Sequence, residues 1–140
     1  MIDSRIIKHE FYELHQVTDI VFKQESYNII GCCMEVHKAL GHGFKEIVYS
    51  SALELEFKKE NITFEKEKQF KIYYKDQLLR PTFRADFIVY ESIILEIKAT
   101  PYIGNPFVTQ TINYLKASGL KLGIIINFGE PSLKFKRVLF

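Results

Sequence analysis

From Ser26 to Leu40 the apolar residues Tyr27, Ile30, Met34, Val36 and Leu40 return at close to helical spacing, which predicts a helix with Ser26 as its N-cap and Gly41 as its stop. Beyond the Gly41-His42-Gly43 turn a second helical pattern runs from about Lys45 to Lys59, with Ile47, Val48, Ala52, Leu55 and Phe57 set among charges. The period then changes. Phe70, Ile72 and Tyr74 alternate with Lys71, Tyr73 and Lys75, as in a strand with one covered face, and Asp76-Gln77 offers a turn. Further strands are expected from Phe83 to Tyr90 and from Ile93 to Ala99.

The next helix has its own start signal. Asn105 is placed to cap it, and Pro106 suits the first helical position, where its fixed φ fits and its missing N–H costs nothing. That helix is expected to reach Ser118 and to end at Gly119. Leu122 to Asn127 is almost unbroken apolar sequence between turn signals and reads as a fully buried strand, followed by a last strand from Phe135 to Phe140. The order α, α, β, β, β, α, β, β describes an α/β domain with a mixed sheet. A weaker helical pattern around Phe11, Leu14 and Val17 marks residues 1–18 as an extension packing on the domain or on a partner, with the domain itself spanning residues 19–140.

Composition narrows the class. At 140 residues and 47% hydrophobic, with seven glycines and four prolines, the chain has material for one core and none of the bias of disordered or low-complexity sequence. The apolar stretch Leu122 to Phe128 is far short of the roughly 20 residues that span a bilayer, and Met1 to Glu10 lacks a signal-peptide apolar core, so no membrane association and a cytosolic location are expected. Cys32 and Cys33 are adjacent, too close for an ordinary disulfide and without zinc spacing, and are read as buried small residues. His9, His15, His37 and His42 form no compact ligand set. No Gly-Lys-Ser/Thr phosphate loop and no GxSxG elbow occur. Charge is uneven: residues 1–60 hold seven Lys/Arg against ten Asp/Glu, and residues 61–140 hold twelve against seven. A basic half can attract a polyanion, although lysines alternating with apolar residues are also what wet strand faces look like.

Candidate chemistry lies in Arg84-Ala85-Asp86 and Leu95-Glu96-Ile97-Lys98-Ala99, where two strands each carry a carboxylate in apolar surroundings. Glu96 and Lys98 share a face because the strand period is two. Asp86 joins them only if the turn allows it. A two-residue loop at Glu91-Ser92 sets Asp86 opposite Ile97, on the wrong face. A loop of Tyr90-Glu91-Ser92 sets it opposite Glu96, and a loop of Glu91-Ser92-Ile93 sets it opposite Lys98. In either of the last two registers the carboxylates are roughly 5 to 8 Å apart, close enough for one divalent ion to bridge. Carboxylate oxygens suit Mg²⁺ or Mn²⁺, which assist phosphodiester hydrolysis, and a nearby lysine can orient water or neutralise charge at phosphorus. The plainer account of the same pattern is a strand face laced by opposite charges.

Two further pairs accompany these strands: Glu46 and Tyr49, one helical turn apart after Gly43, and Gln110 and Tyr114, at i and i+4 on one helix face. With Ile30-Gly31, Glu35 through Gly41, Phe83 through Asp86, Glu96 through Ala99, Asn113-Tyr114-Leu115, and Gly123 through Gly129, the chain resembles the GxxExxY family, a branch of the PD-(D/E)XK nuclease-like superfamily with the restriction-endonuclease-like fold. The resemblance covers about residue 19 to the C-terminus. It implies an αβββαβ core in which Asp86, Glu96 and the Ile97 carbonyl hold Mg²⁺ or Mn²⁺ and Lys98 assists the water or the phosphate. It further implies that Glu46 completes the acidic cluster and that Gln110 and Tyr114 reach the site. Relatives carry a histidine three residues before Gln110, where this chain has Phe107. The implied function is nuclease action on nucleic acid, DNA before RNA, by metal-activated water. A nucleic-acid-binding or assembly module retaining the fold without chemistry is the alternative, and the extension leaves room for a homo-oligomer.

Overall fold

The computed structural model describes residues 22–140. The expected extension, residues 1–18, lies outside the described residues. The elements appear in the expected order: α1 (Lys23–Leu40), α2 (Glu46–Lys59), β1 (Phe64–Tyr74), β2 (Gln77–Val89), β3 (Ile93–Lys98), α3 (Asn105–Ser118), β4 (Leu122–Asn127) and β5 (Lys134–Leu139). The five strands form one sheet in the order β1-β2-β3-β4-β5, parallel between β3 and β4 and antiparallel elsewhere. This is a mixed α/β fold with an αβββαβ core. Among the described residues no helix is long and apolar enough to cross a membrane.

Helices cover both faces of the sheet. On one side α1 and α2 contribute Ile29, Ile30, Cys33, Val36, Tyr49, Leu53 and Phe57, which pack on Phe87, Val89, Leu95, Ile97, Ile124 and Ile126. On the other, α3 sets Leu115 with partly buried Phe107, Ile112 and Tyr114 over Ala85, Ile88, Ile94 and Ile125. Strand β4 is buried along its whole length, as its apolar run demands. Cys32 and Cys33 are buried and free. Burial raises both thiols, Cys32 to about 11 with the Glu56, Glu60 and Glu35 carboxylates adding to the effect, so both are held as thiols.

Local signals differ from expectation at the helix starts. α1 begins four residues early, with Phe22 at the cap position, and Ser26 lies fully buried inside the helix, its hydroxyl without a partner. Asn105 is the first residue of α3 and not its cap. Gly104 takes that place in extended backbone without a side-chain cap, and Pro106 moves one position inward. Gly119 ends α3 in the left-handed region that only glycine enters freely. Strands β1 and β2 are longer than the alternation suggested, joined by a tight turn in which Tyr74 pairs Gln77, and their register shifts between Lys71 and Tyr73. The extra residues fall on β2 around Pro81, which as a proline is tolerated at such a bulge. Apolar residues counted as inward also diverge: Tyr27, Ile47 and Leu55 are exposed.

The segment Gly43 to Tyr49 closes on itself. The Tyr49 hydroxyl donates to the Gly41 carbonyl at 2.7 Å and accepts from the Phe44 amide at 3.2 Å, while its ring stacks on Phe128 at 4.5 Å. Phe128 leads into Gly129, where an added Cβ would overlap the backbone of Thr100. Replacing Gly129 by Ala is expected to lower stability by about 1–3 kcal/mol through that overlap. Gly31, inside α1 with open space around its Cβ position, gives the opposite sign, a gain of about 0.5–1 kcal/mol for Ala. Urea midpoints of the two variants check both signs.

Candidate metal and catalytic site

The site forms where β2 and β3 part. Their ladder pairs Val89 with Ile93, Ile88 with Ile94 and Phe87 with Leu95, which is the register of a Tyr90-Glu91-Ser92 loop and carries on to Asp86 opposite Glu96. Tyr90 and Glu91 take positive φ, of 55° and 58°, and the Tyr90 amide donates to the Thr63 carbonyl at 2.9 Å. Beyond Phe87 the ladder stops. There the Ile97 amide donates to Asp86 Oδ2 at 2.7 Å, so a side chain supplies the acceptor that a neighbouring strand would otherwise give.

Side-chain alternation along β2 also slips at this point. Phe87 and Val89 face α1 and α2, whereas Ala85, two residues earlier, packs under α3 with Ile88. In β1 the residue across from the slip, Glu67, takes φ 56° and drops out of the ladder between the Lys66–Phe87 and Lys68–Ala85 pairs. The bend frees Asp86 to reach across the gap.

Glu96 is 4% exposed, and its Oε1 has no hydrogen-bond partner. Burial first, then the facing Asp86 carboxylate, push its carboxyl up to about 9, against a smaller opposing pull from Lys98. Lys98, on the same strand face, is half-buried. Its Nζ lies 4.5 Å from the Phe107 ring centroid and 3.4 Å from Gln110 Oε1, which it approaches as donor. Tyr114 stacks on Phe83 at 4.2 Å. Burial and then the Glu96 and Asp86 carboxylates hold its phenol above the usual range, which places it beside the acidic pair. Asp86, Glu96, Ile97, Lys98, Gln110 and Tyr114 are thus brought together.

Glu46 is not drawn in. It stands exposed at the first residue of α2 and bonds to none of these groups, and among the described residues no cluster of three or more His, Cys, Asp or Glu side chains forms. The acidic set comprises Asp86 and Glu96. A hard divalent cation fits it: the orphaned Glu96 oxygen lacks a counter-charge, Asp86 faces it, and a few protein oxygens suffice for an ion that keeps several waters. Such an ion would lie next to Lys98.

Two residues named in the sequence pattern were given no role there and turn out to be supports. Asn127, at the end of β4, has every side-chain bond satisfied: its Oδ1 accepts from the Thr100 and Gly129 amides, and its Nδ2 donates to the Thr100 carbonyl and to Glu130 Oε2. With the Phe128 amide donating to the Lys98 carbonyl at 2.8 Å, this network fixes the chain leaving β3. A single polar residue closing an apolar strand was the available signal. Phe107 is the other support, under the Lys98 ammonium.

A family model described as the PD-(D/E)XK nuclease superfamily matches residues 23–138. No curated protein matches the chain. The crystal structure of SSO0001 is similar in fold, with a TM-score of 0.53 at 19% identity; the match covers 93% of this chain and 61% of that one.

The raised Glu96 carboxyl sets a pH dependence of stability. The folded protein keeps a proton that the unfolded chain releases above about pH 4.5, so the stabilisation is full below that pH and is lost progressively as pH rises towards about 9. In chelator, the thermal midpoint is therefore expected to fall between pH 5 and pH 9. Glu96→Gln should flatten that slope and be the more stable form at pH 8, by upwards of about 1 kcal/mol, since each pK unit is worth about 1.4. Thermal melts of parent and variant across this range check it, and an unchanged slope would place the titrating group elsewhere.

Proposed function

Since the chain belongs to the PD-(D/E)XK nuclease superfamily, we propose that it hydrolyses phosphodiester bonds of nucleic acid, DNA in preference to RNA, with Mg²⁺ or Mn²⁺ held by Asp86, Glu96 and the Ile97 carbonyl. The observation that carries this reading is the buried Glu96 with an unpartnered oxygen, facing the half-buried Asp86 and set beside a lysine. When bound, the ion supplies Lewis acidity, polarising the phosphoryl group and lowering the pKa of water. Gly43, Glu46 and Tyr49 support membership of the GxxExxY branch, and in this chain the Tyr49 of that motif serves the fold by closing the turn before α2.

The remaining work falls to the chain's own residues. Lys98, backed by Phe107, presents its ammonium where it can hold the attacking water or neutralise charge on the phosphate oxygens. Gln110 keeps that ammonium in place through its amide oxygen. Tyr114 offers a phenol held protonated, a hydrogen-bond donor beside the acidic pair. Asp86 is oriented by the Ile97 amide, so the two acids do not have to find their geometry on binding. Glu46 is given no role in the reaction, because it bonds to none of these groups.

Labelled duplex, nicked, branched and single-stranded DNA together with RNA, incubated with Mg²⁺, Mn²⁺ or EDTA, test the activity. Cleavage is expected with either metal and not in EDTA. Lys98→Met should slow it on the order of 10²–10³-fold while the thermal midpoint stays near that of the parent. Asp86→Asn should weaken Mn²⁺ binding by roughly tenfold or more, a magnitude typical of groups that hold or orient a metal. Calorimetry showing parental Mn²⁺ affinity in that variant would sink the metal assignment, and cutting that persists in EDTA would sink the mechanism.

A further inference from the structure

Past the body of the sheet, β1 and β2 continue as a two-stranded arm. Every residue of β2 from Gln77 to Thr82 is exposed, as are Lys71, Tyr73 and Tyr74 on β1, so neither face of the tip is covered. Residues 68–84 contain five cations, Lys68, Lys71, Lys75, Arg80 and Arg84, against the single acid Asp76. Among the described residues no carboxylate pairs with Lys71, Arg80 or Arg84; of the five, Lys68 is the one with an ion pair, to Glu65 at 3.1 Å. Between these cations stand Tyr73, Tyr74 and Leu78, exposed by 59%, 61% and 55%. Lys75 Nζ lies 5.4 Å from the Tyr74 ring centroid.

The arm is continuous with the acidic site. Tyr114, beside Asp86 and Glu96, stacks on Phe83 at 4.2 Å, and Phe83 stacks on Phe70 at 4.9 Å, both pairs within 10° of parallel. The half-buried positions of β1 carry that row outward from Phe70 to Ile72, and the exposed Tyr73 and Tyr74 follow at the tip. Near the site the rings are covered by α3. At the tip they are bare.

We propose that this arm is a platform for an unpaired nucleic-acid strand, its tyrosines stacking on bases and its cations meeting phosphates, and that it leads the strand to the acidic site. The proposal rests on the nuclease reading of that site and names its substrate as nucleic acid with a single-stranded stretch. Charge selects the occupant. A second copy docking arm to arm would set five cations against five, and an apolar protein partner would bury lysines and arginines that interrupt every run of apolar side chains. A polyanion is matched to the cations, and only unpaired bases present faces to rings this exposed. A duplex keeps its bases stacked on one another and leaves the tyrosines idle.

The test is fluorescence anisotropy in EDTA, which separates binding from cutting, with a labelled single-stranded oligonucleotide and a blunt duplex of the same sequence. The single strand is expected to bind more tightly than the duplex. Tyr74→Ala should weaken it on the order of tenfold, and Lys71→Ala with Arg80→Ala should lower the salt slope by about 1.4, because two phosphates of the strand are then no longer neutralised. The chain has no tryptophan, so Tyr74→Trp creates a single reporter, whose emission should be quenched by the single strand and not by the duplex. Binding at parental strength by the alanine variants overturns the platform, as does equal binding of duplex and single strand. So does a Tyr74→Ala variant that changes sedimentation while leaving binding intact, because the arm would then join copies of the chain. Cleavage of the same panel in Mg²⁺ is scored apart. Cutting that is indifferent to the arm variants spares the nuclease and removes the platform. Strand binding that needs the arm, in a protein that never cuts, does the reverse.

Discussion

A buried glutamate facing a half-buried aspartate is the constraint around which this end of the sheet is organised. Removing such groups from water costs several kcal/mol each unless hydrogen bonds or an opposite charge compensate. Asp86 is compensated by the Ile97 amide and Glu96 in part by Lys98, but one Glu96 oxygen is left over. Without a cation the chain meets the deficit by keeping a proton on Glu96. That arrangement subtracts from stability, so it must be imposed by its surroundings: the apolar stretches of β2, β3 and β4, whose burial on both faces leaves Asp86 and Glu96 no alternative position.

The same surroundings explain how a site assembled from residues up to 28 positions apart in sequence is held in register. The parting of β2 and β3 needs the Glu67 irregularity in β1 and the bend at Asp86, and both lie against a ladder that is regular on the Val89 side. On the far side of β3 the Asn127 network ties Thr100 to Gly129, and Gly129 admits that approach because it has no Cβ. Phe128, between them, is stacked by Tyr49 from α2. A tyrosine at the start of one helix therefore stabilises the turn that follows the lysine-bearing strand, although its own helix contributes nothing to the acidic pair.

Much of this was legible in the chain, and the exceptions have physical causes. Period and length identify β4 and the end of α3 because burial on two faces and a left-handed glycine leave few alternatives. The turn between β2 and β3 was narrowed to two useful registers by parity alone. The observed register comes with a Tyr90–Thr63 hydrogen bond, a tertiary contact that local sequence does not display. Ser26 carries a cap signal, but the start of α1 is set by packing, which buries the serine inside the helix. Asn105 carries one too, and Gly104 takes the position. Glu46 sits at a helical spacing from Tyr49 that suits a shared site equally well or not at all, and only the tyrosine turns inward. The alternation in β1 announces a covered face but not that α3 covers only its base.

The uneven charge of the chain gains meaning from this geometry. The acidic excess of the first sixty residues is carried partly by Glu35, Glu56 and Glu60, which gather around Cys32 where α1 meets α2 and are felt there in the raised thiol. The basic excess of the remainder is concentrated on the β1–β2 arm, away from that helix pair, with Lys134 and Lys136 on β5 at the other edge of the sheet. Charges sorted in this way create a field across the molecule and not merely a sum. A polyanion approaching the arm is drawn in by its cations, and the stacked rings of Phe70, Phe83 and Tyr114 lie between that arm and the acidic pair. A net charge of only +2 conceals this polarity because the two halves largely cancel. The strands that extend beyond the core have no helix over their tip and present their cations to solvent.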